Sequence, residues 1–360
     1  MFKTYRTSDG AEFPRLVSVE TTSRCNAECP FCPYNVRARD KTHMDQGLFE
    51  KIIADCTEFP LPAIEPFLNG EPFVDPKIMD RLELIRSRLP ATKLRVYSNG
   101  YALSPRRVDE LCGLGIDHLY ISLNTLNPEK YKAIMGFKLD RTLENVKYLA
   151  DPARRSKVAR RITLRMTRMD DTTLEEQAEF KAFCDRLGVR CFIVGLFNYK
   201  GDVPSPLPVP TYACEHITRL DILSSGKVAL CCMDQEGDFS LGDMNHHSVL
   251  EVFRGEASRR YQDLHRQGRR AEAAPCGQCN LFWPSTDNMP IWRAVGHAAR
   301  FWAYFATYRP VGKKAPPPKA AVCATHAAEL PDVAASALKR PAAGGAGEAR
   351  SPDQAVRPSV

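Results

Sequence analysis

The 360-residue chain has no run of about 18 apolar residues and no N-terminal apolar segment of the export type, so the sequence predicts neither a membrane span nor secretion. Charge of one sign is also scarce over most of its length. Of the net charge of +7, a balance of +6 lies in residues 291–360, where ten Lys/Arg face four Asp/Glu. Residues 1–290 carry only +1 and lack the basic face that nucleic-acid binding requires. What the chain does have is thirteen cysteines. With no export signal, these point to metal ligation rather than to disulfides, and an oxygen-sensitive centre would call for the reducing cytoplasm, the expected compartment. The length suffices for one large domain and a smaller one.

Three of the thiols stand together in Thr22-Ser-Arg-Cys25-Asn-Ala-Glu-Cys29-Pro-Phe31-Cys32-Pro, a C-x3-C-x2-C spacing that follows an apolar, strand-like run. Three thiolates can clasp one metal centre and leave one coordination position open. Cysteine thiolates are the usual ligands of iron–sulfur clusters, whose potentials span about −700 to +450 mV. A zinc site would need a fourth ligand close by, and the nearest, His43, lies outside any usual zinc spacing.

Strand-like runs occur at 15–21, Ala63–Leu68, Lys93–Ser98, His118–Leu123, Ile162–Met166 and Cys191–Leu196. Amphipathic stretches separate them, near 45–53, Ile78–Leu89, Val108–Leu114, Leu143–Leu149 and Leu174–Leu187. Six strands alternating with helices predict an α/β fold with a parallel sheet covered by helices, which right-handed crossovers can curl into a full or partial barrel. The Pro-rich stretch 203–210 reads as a linker, because repeated Pro continues neither a helix nor an inner strand.

The C-x3-C-x2-C motif, with an aromatic residue before its third cysteine, resembles the signature of the radical S-adenosylmethionine (SAM) family. The resemblance implies a partial (β/α)6 TIM-like barrel over residues 1–202. It also implies a [4Fe-4S] cluster on Cys25, Cys29 and Cys32, with the amino and carboxylate groups of SAM on its fourth iron. Reductive cleavage of SAM would yield a 5′-deoxyadenosyl radical, with the electron drawn from a flavodoxin- or ferredoxin-like reductant. Asn69-Gly70-Glu71-Pro72 resembles the family's Gly-Gly-Glu motif, with Asn69 replacing the first Gly, which implies that Gly70 and Glu71 meet the SAM amino group. By the same resemblance Ser98 and Ser122 face the SAM methionine, carboxylate or ribose and Phe31 contacts adenine; Arg165, on the fifth strand, can pair with the SAM carboxylate or stand solvated at the strand end.

Beyond the linker lie Cys214, the pair Cys231-Cys232, and Cys276-Gly-Gln-Cys279, a four-ligand set that zinc would suit as well as iron–sulfur. The arrangement Cys214-x11-Gly226-x4-Cys231 followed by a distant C-x2-C resembles the SPASM/Twitch extension of radical SAM enzymes. Full SPASM domains continue as C-x2-C-x5-C-x3-C, whereas Ser285 stands after the x5 gap here. The shorter Twitch form, a small α+β domain over 211–290, therefore implies a second, auxiliary [4Fe-4S] cluster on Cys214, Cys231, Cys276 and Cys279, with Cys232 an alternative to Cys231. Cys232 also occupies the position that carries an acidic base in the sulfatase-maturing branch, which argues against that activity. Cys56, Cys112, Cys184 and Cys191 fall in helix or strand patterns and read as core thiols, and His246 and His247 as solvated loop residues.

Residues 291–310 read as an aromatic amphipathic helix with three open roles: docking on the barrel, lying on an anionic membrane surface, or meeting a protein partner. The Ala/Pro/Gly-rich stretch 311–360 predicts disorder. An auxiliary cluster could take the second electron when a substrate radical closes to product. The expected activity is thus oxidation of a small polyhydroxylated or sugar-like substrate, with an architecture most like that of 2-deoxy-scyllo-inosamine dehydrogenases. The general base is not identifiable from sequence. The other activity is maturation of a ribosomally made peptide, disfavoured by the 24 residues before Cys25, too few for a peptide-recognition domain. A non-catalytic metal-binding role is disfavoured by the Gly70-Glu71 and Ser122 matches.

Overall fold

The structure is a computed structural model that describes residues 5–281, apart from Arg37, residues 206–208 and the side chains of Asn35 and Val36. The expected helix at 291–310, the 311–360 tail and the centre of the proline-rich stretch lie outside the described residues. The described residues belong to one compact unit.

A short hairpin of β1 (Tyr5–Arg6) and β2 (Glu12–Phe13) precedes the sheet. Six parallel strands then follow in spatial order: β3 (Val17–Val19), β4 (Ala63–Glu65), β5 (Lys93–Ser98), β6 (His118–Ser122), β7 (Ile162–Arg168) and β8 (Arg190–Gly195). Helices α1 (Gln46–Asp55), α2 (Ile78–Arg88), α3 (Pro105–Glu110), α4 (Pro128–Met135), α5 (Leu139–Ala150), α6 (Pro152–Val158) and α7 (Leu174–Leu187) fill the crossovers. This is the expected α/β partial barrel.

The sheet does not stop at β3. A C-terminal meander of β9 (Leu220–Ile222), β10 (Lys227–Ala229) and β11 (Gly242–Asp243) joins it, β9 pairing parallel with β3 in the register Ser18↔Asp221. Barrel and C-terminal segment therefore share one nine-stranded sheet with β8 and β11 at its edges. Two closing helices, α8 (Val249–Arg254) and α9 (Glu256–Arg266), follow the meander. Gly255, extended at φ −63° and ψ 161°, separates them.

The core lies between strands and helices. Phe49, Ile52 and Ile53 of α1 and Ile78, Leu82 and Ile85 of α2 are fully buried against Leu94, Val96, Leu119, Ile121 and Leu164 of the strands. Each such side chain stabilises the fold by about 1.5–3 kcal/mol. Cys56 and Cys184 are buried in this core and Cys112 and Cys191 half-buried against it, while His246 and His247 are exposed. The opposite face of the strands, which lines the barrel interior, carries Ser18, Glu65, Arg95, Tyr97, Tyr120, Ser122, Arg165 and Asp221, so the interior is polar.

Several boundaries shift from expectation for local reasons. Strand pairing ends at Val19 and Glu65, because the chain leaves the sheet there to build loops. The third helix begins earlier, at Pro105, since Ser104 caps it by accepting from Arg107 N at 3.4 Å. α4 and α6 were not foreseen; each opens with an Asx cap and a Pro in its first turn, Asn127-Pro128 and Asp151-Pro152.

Candidate functional site

The three-cysteine loop leaves β3 and returns to α1 through a closed strap. Ser23 N donates to Thr42 O at 2.8 Å and Met44 N to Thr21 O at 2.9 Å. The buried Arg81 guanidinium donates to Thr21 O (2.9 Å) and Met44 O (2.6 Å), tying both ends of the strap to α2. Within it, Tyr34 Oη accepts from Cys25 N at 2.8 Å and donates to Cys25 O at 3.1 Å. Cys25, Cys29 and Cys32 are half-buried. Burial, together with the neighbouring Cys32 and Cys25 sulfurs, pushes the Cys29 thiol well up. Cys29 Sγ also lies 3.5 Å from Met135 Sδ at the end of α4.

Gly70 is where β4's loop meets this strap. A Cβ there would stand 2.1 Å from Thr22 O and 2.7 Å from Arg24 O, so only glycine fits. Glu71 N donates to Arg24 O at 2.8 Å. The Glu71 carboxylate is buried and accepts from Ser98 Oγ (2.8 Å), Asn99 N (2.6 Å) and Phe73 N (3.2 Å). Burial raises its pKa to about 7, and these hydrogen bonds oppose the rise. Asn99 Nδ2 donates to Asn26 Oδ1 at 2.7 Å, which links the ends of β4 and β5 to the cysteine loop itself.

Ser122 ends β6 half-buried, directly beside Arg165 of β7 in the strand register. Arg165 Nε is buried with no hydrogen-bond partner, and its guanidinium carbon lies 5.6 Å from the Tyr97 ring centre and 5.9 Å from that of Phe192. An orphaned cationic donor of this kind suits a carboxylate. Phe31 is half-buried against the core. Below Arg165, Phe67, Tyr97 and Tyr120 stack at 4.9 and 4.4 Å across the barrel interior. Glu65 receives Tyr97 Oη at 3.4 Å and Arg219 Nη2 at 3.4 Å, and Arg219 also pairs with Asp221 and Ser18.

The second cysteine set gathers at the far end of β10. Gly226 makes the β9–β10 turn at φ +94°, and β10 then delivers Cys231. Cys214 and Cys279 are buried and pack in one cluster with Met233, Leu281, Phe197, Tyr199, Cys231 and Cys232, while Cys276, also buried, packs against the main core. Burial, then the sulfurs of Cys232, Cys279, Cys276 and Cys214, push the Cys231 thiol far up. Cys232 also packs against Leu68 and Ala229 and lies 3.5 Å from His216 Nδ1. Both members of the pair thus border the cluster of Cys214 and Cys279, and the His216 contact is made by Cys232. His265 Nδ1 accepts from Cys214 N at 3.0 Å, and its buried Nε2 has no hydrogen-bond partner.

Both sites offer thiols only, the donor chemistry of iron–sulfur clusters. Among the described residues no three His, Cys, Asp or Glu side chains converge on one ion position. By their donor chemistry the residues present fit iron–sulfur clusters. Sequence reasoning missed Tyr34, Asn26, Met135, Tyr199, His265 and Arg270. Tyr34, two residues after the motif, was the one with a local signal. The others reach the sites only through the fold.

A parallel barrel with a three-thiol loop at the carboxyl ends of its strands, followed by a largely buried set of thiols, is an arrangement suited to an iron–sulfur protein. Comparison with known proteins makes this specific: residues 19–184 match the Radical SAM superfamily and residues 214–280 match SPASM, an iron–sulfur cluster-binding domain. The chain thus carries a radical SAM domain and a SPASM-type domain. The first domain binds a [4Fe-4S] cluster and SAM, and the second binds auxiliary iron–sulfur clusters.

A tungsten-containing aldehyde ferredoxin oxidoreductase cofactor-modifying protein of Pyrococcus furiosus is 33% identical over 137 residues, 38% of each chain. The similarity thus spans well under half of that relative. The S-adenosyl-L-methionine-dependent 2-deoxy-scyllo-inosamine dehydrogenase of Niallia circulans is 20% identical over 269 residues, 74% of this chain and 92% of that one. Among solved structures, Streptococcus suis SuiB bound to precursor peptide SuiA aligns with a TM-score of 0.59 at 15% identity, covering 74% of this chain and 70% of that one. Among the described residues no helix is long and apolar enough to cross a membrane.

Proposed function

We propose that this chain is a radical SAM oxidoreductase that dehydrogenates a small polyhydroxylated or sugar-like molecule in the cytoplasm, supplied with electrons by a flavodoxin- or ferredoxin-like protein. When bound, SAM and its cluster supply a carbon-centred radical that removes hydrogen from an unactivated C–H bond, and the auxiliary cluster supplies a place for a second electron. Oxidation of an alcohol to a ketone then balances as one hydrogen atom, one electron and one hydroxyl proton lost from the substrate.

In this reading Cys25, Cys29 and Cys32 hold the first cluster, and the strap fixed by Arg81 and Tyr34 keeps them in register. Glu71, held by Ser98 and Asn99, presents its carboxylate to the SAM ammonium. Arg165, with Ser122 beside it, meets the SAM carboxylate, and Phe31 covers adenine. Cys214, Cys231, Cys276 and Cys279 hold the auxiliary cluster.

The observation that carries the oxidoreductase reading is the buried thiol set packed on the same body as the barrel, with Tyr199 between the two sites. Burial and the sulfurs of Cys32, Cys232 and Cys29 raise the Tyr199 phenol pKa far above the ordinary tyrosine range, which keeps it protonated. The polar barrel interior of Glu65, Tyr97, Arg219 and Asp221 supports a hydroxylated substrate. The 92% span of the Niallia circulans dehydrogenase supports the same choice.

The fold likeness to SuiB, a protein solved with a precursor peptide, supports a second reading, peptide maturation. The test is anaerobic turnover of the reconstituted chain with SAM, reductant and a panel of aminocyclitols and sugars. Formation of one ketone per 5′-deoxyadenosine supports the dehydrogenase reading. Deoxyadenosine release that responds only to an added peptide would replace it with the maturase.

A further inference from the structure

The auxiliary site contains a charge that neither the cysteine motif nor the thiol packing explains. Arg270, just after α9, is 2% exposed, among the largest fully buried side chains of the protein. Its guanidinium meets main-chain carbonyls alone. Nε donates to Cys276 O at 3.1 Å, Nη1 to Tyr212 O at 3.1 Å, and Nη2 to Cys279 O at 2.6 Å and Leu281 O at 3.2 Å. Among the described residues no carboxylate pairs with it.

Two features follow. First, the four bonds join the segment that leads into Cys214 to the loop that carries Cys276 and Cys279, so one side chain sets the spacing of three of the four thiols. Second, a permanent cation is buried with dipoles but without a counter-ion, a costly arrangement unless an anion stands nearby. Four cysteinyl thiolates on an iron–sulfur core provide such an anion, and they are the residues whose backbone the guanidinium holds. The nearby His265 ring is held neutral, with Nδ1 accepting from Cys214 N, so it adds no charge of its own.

We propose that Arg270 is the counter-charge and positioning residue of the auxiliary cluster and raises its reduction potential. The proposal rests on the auxiliary-cluster reading above. A cluster that accepts one electron becomes more negative by one charge, and a fixed cation in a dry site favours the more negative state. Arg270 thereby makes this cluster a better acceptor of the second electron than its four thiolates alone would make it. The step is a one-electron transfer from the substrate radical to the cluster, and the substrate proton leaves separately.

The test uses the full chain with Cys25, Cys29 and Cys32 changed to Ala, so that iron and its signal report the auxiliary site alone. Into this background go Arg270→Lys, Arg270→Gln and Arg270→Met. Iron and sulfide per chain are measured after anaerobic reconstitution, and the midpoint potential by redox titration followed by electron paramagnetic resonance. Arg270→Lys is expected to keep the parent's potential, whereas Arg270→Gln, and Arg270→Met if it retains iron, shift it to lower potential. Loss of iron in Arg270→Met with retention in the other two confirms the positioning half. An unchanged potential in Arg270→Gln, or an equal drop in Arg270→Lys, overturns the proposal. If the parent background itself holds no iron, the auxiliary-cluster reading fails, a result separate from either outcome at Arg270.

Discussion

The two cysteine sites of this protein are built on opposite plans. The first comes from eight consecutive residues, Cys25 to Cys32, on a half-buried loop whose shape is imposed from outside by Gly70, Arg81 and Tyr34. The second draws its thiols from three separated segments and buries Cys214, Cys276 and Cys279 around a cation. A local, partly open loop leaves room for a ligand to approach the metal. A dispersed, buried set excludes one and suits a centre that only exchanges electrons. The difference teaches that, on the proposed reading, ligand number and exposure rather than metal type would divide the labour between them.

The sharpest break of this contrast is at the C-terminal pair. Cys231→Ala should abolish auxiliary iron, while Cys232→Ala should leave it intact, read as iron and sulfide per chain in the background lacking the first site. Equal loss in both would place Cys232 among the ligands and undo the assignment of Cys231 made from the spacing.

Gly70→Ala comes next. The new methyl would press on Thr22 O and Arg24 O, so the first site should lose most of its iron and SAM cleavage should fall by at least tenfold. Auxiliary iron should persist, because the second site makes no use of that contact.

Glu71→Gln should weaken SAM binding by roughly tenfold, about 1.4 kcal/mol, with iron at both sites retained, as measured by equilibrium binding. The smallest effect is in protons. The Glu71 pKa stands at about 7 against an ordinary 4.5, so the folded protein holds this proton more tightly than the unfolded chain. The stability contributed is present below pH 4.5 and fades as pH rises toward 7. Binding of the SAM ammonium favours the carboxylate and should therefore expel up to one proton near pH 6. Calorimetry in buffers of different ionisation enthalpy measures it, and Glu71→Gln should erase it.

The first site and the parallel strands were legible in the sequence because both are local patterns. Three cysteines within eight residues announce themselves, and Lys93–Ser98 alternates in a way that survives folding. Glu71 was legible as a motif residue, but its grip by Ser98, Asn99 and Phe73 was not, since those bonds join different strand ends. The joining of β9 to β3 left no trace in the sequence. Pairing partners of a three-residue strand are chosen by tertiary packing. Arg270 was equally silent, because nothing in an isolated Arg-Ala-Glu segment marks a side chain that will be buried against carbonyls drawn from residues 212 to 281.

The most direct test of the account is the iron and sulfide content of the Cys25/Cys29/Cys32→Ala variant beside the intact chain, each reconstituted anaerobically and assayed for SAM cleavage. The account predicts that the variant keeps one cluster's worth, about four irons, and cleaves no SAM, while the intact chain holds about eight. A variant that holds no iron would contradict it: the buried thiols would not carry a cluster, and the route for the second electron would be lost.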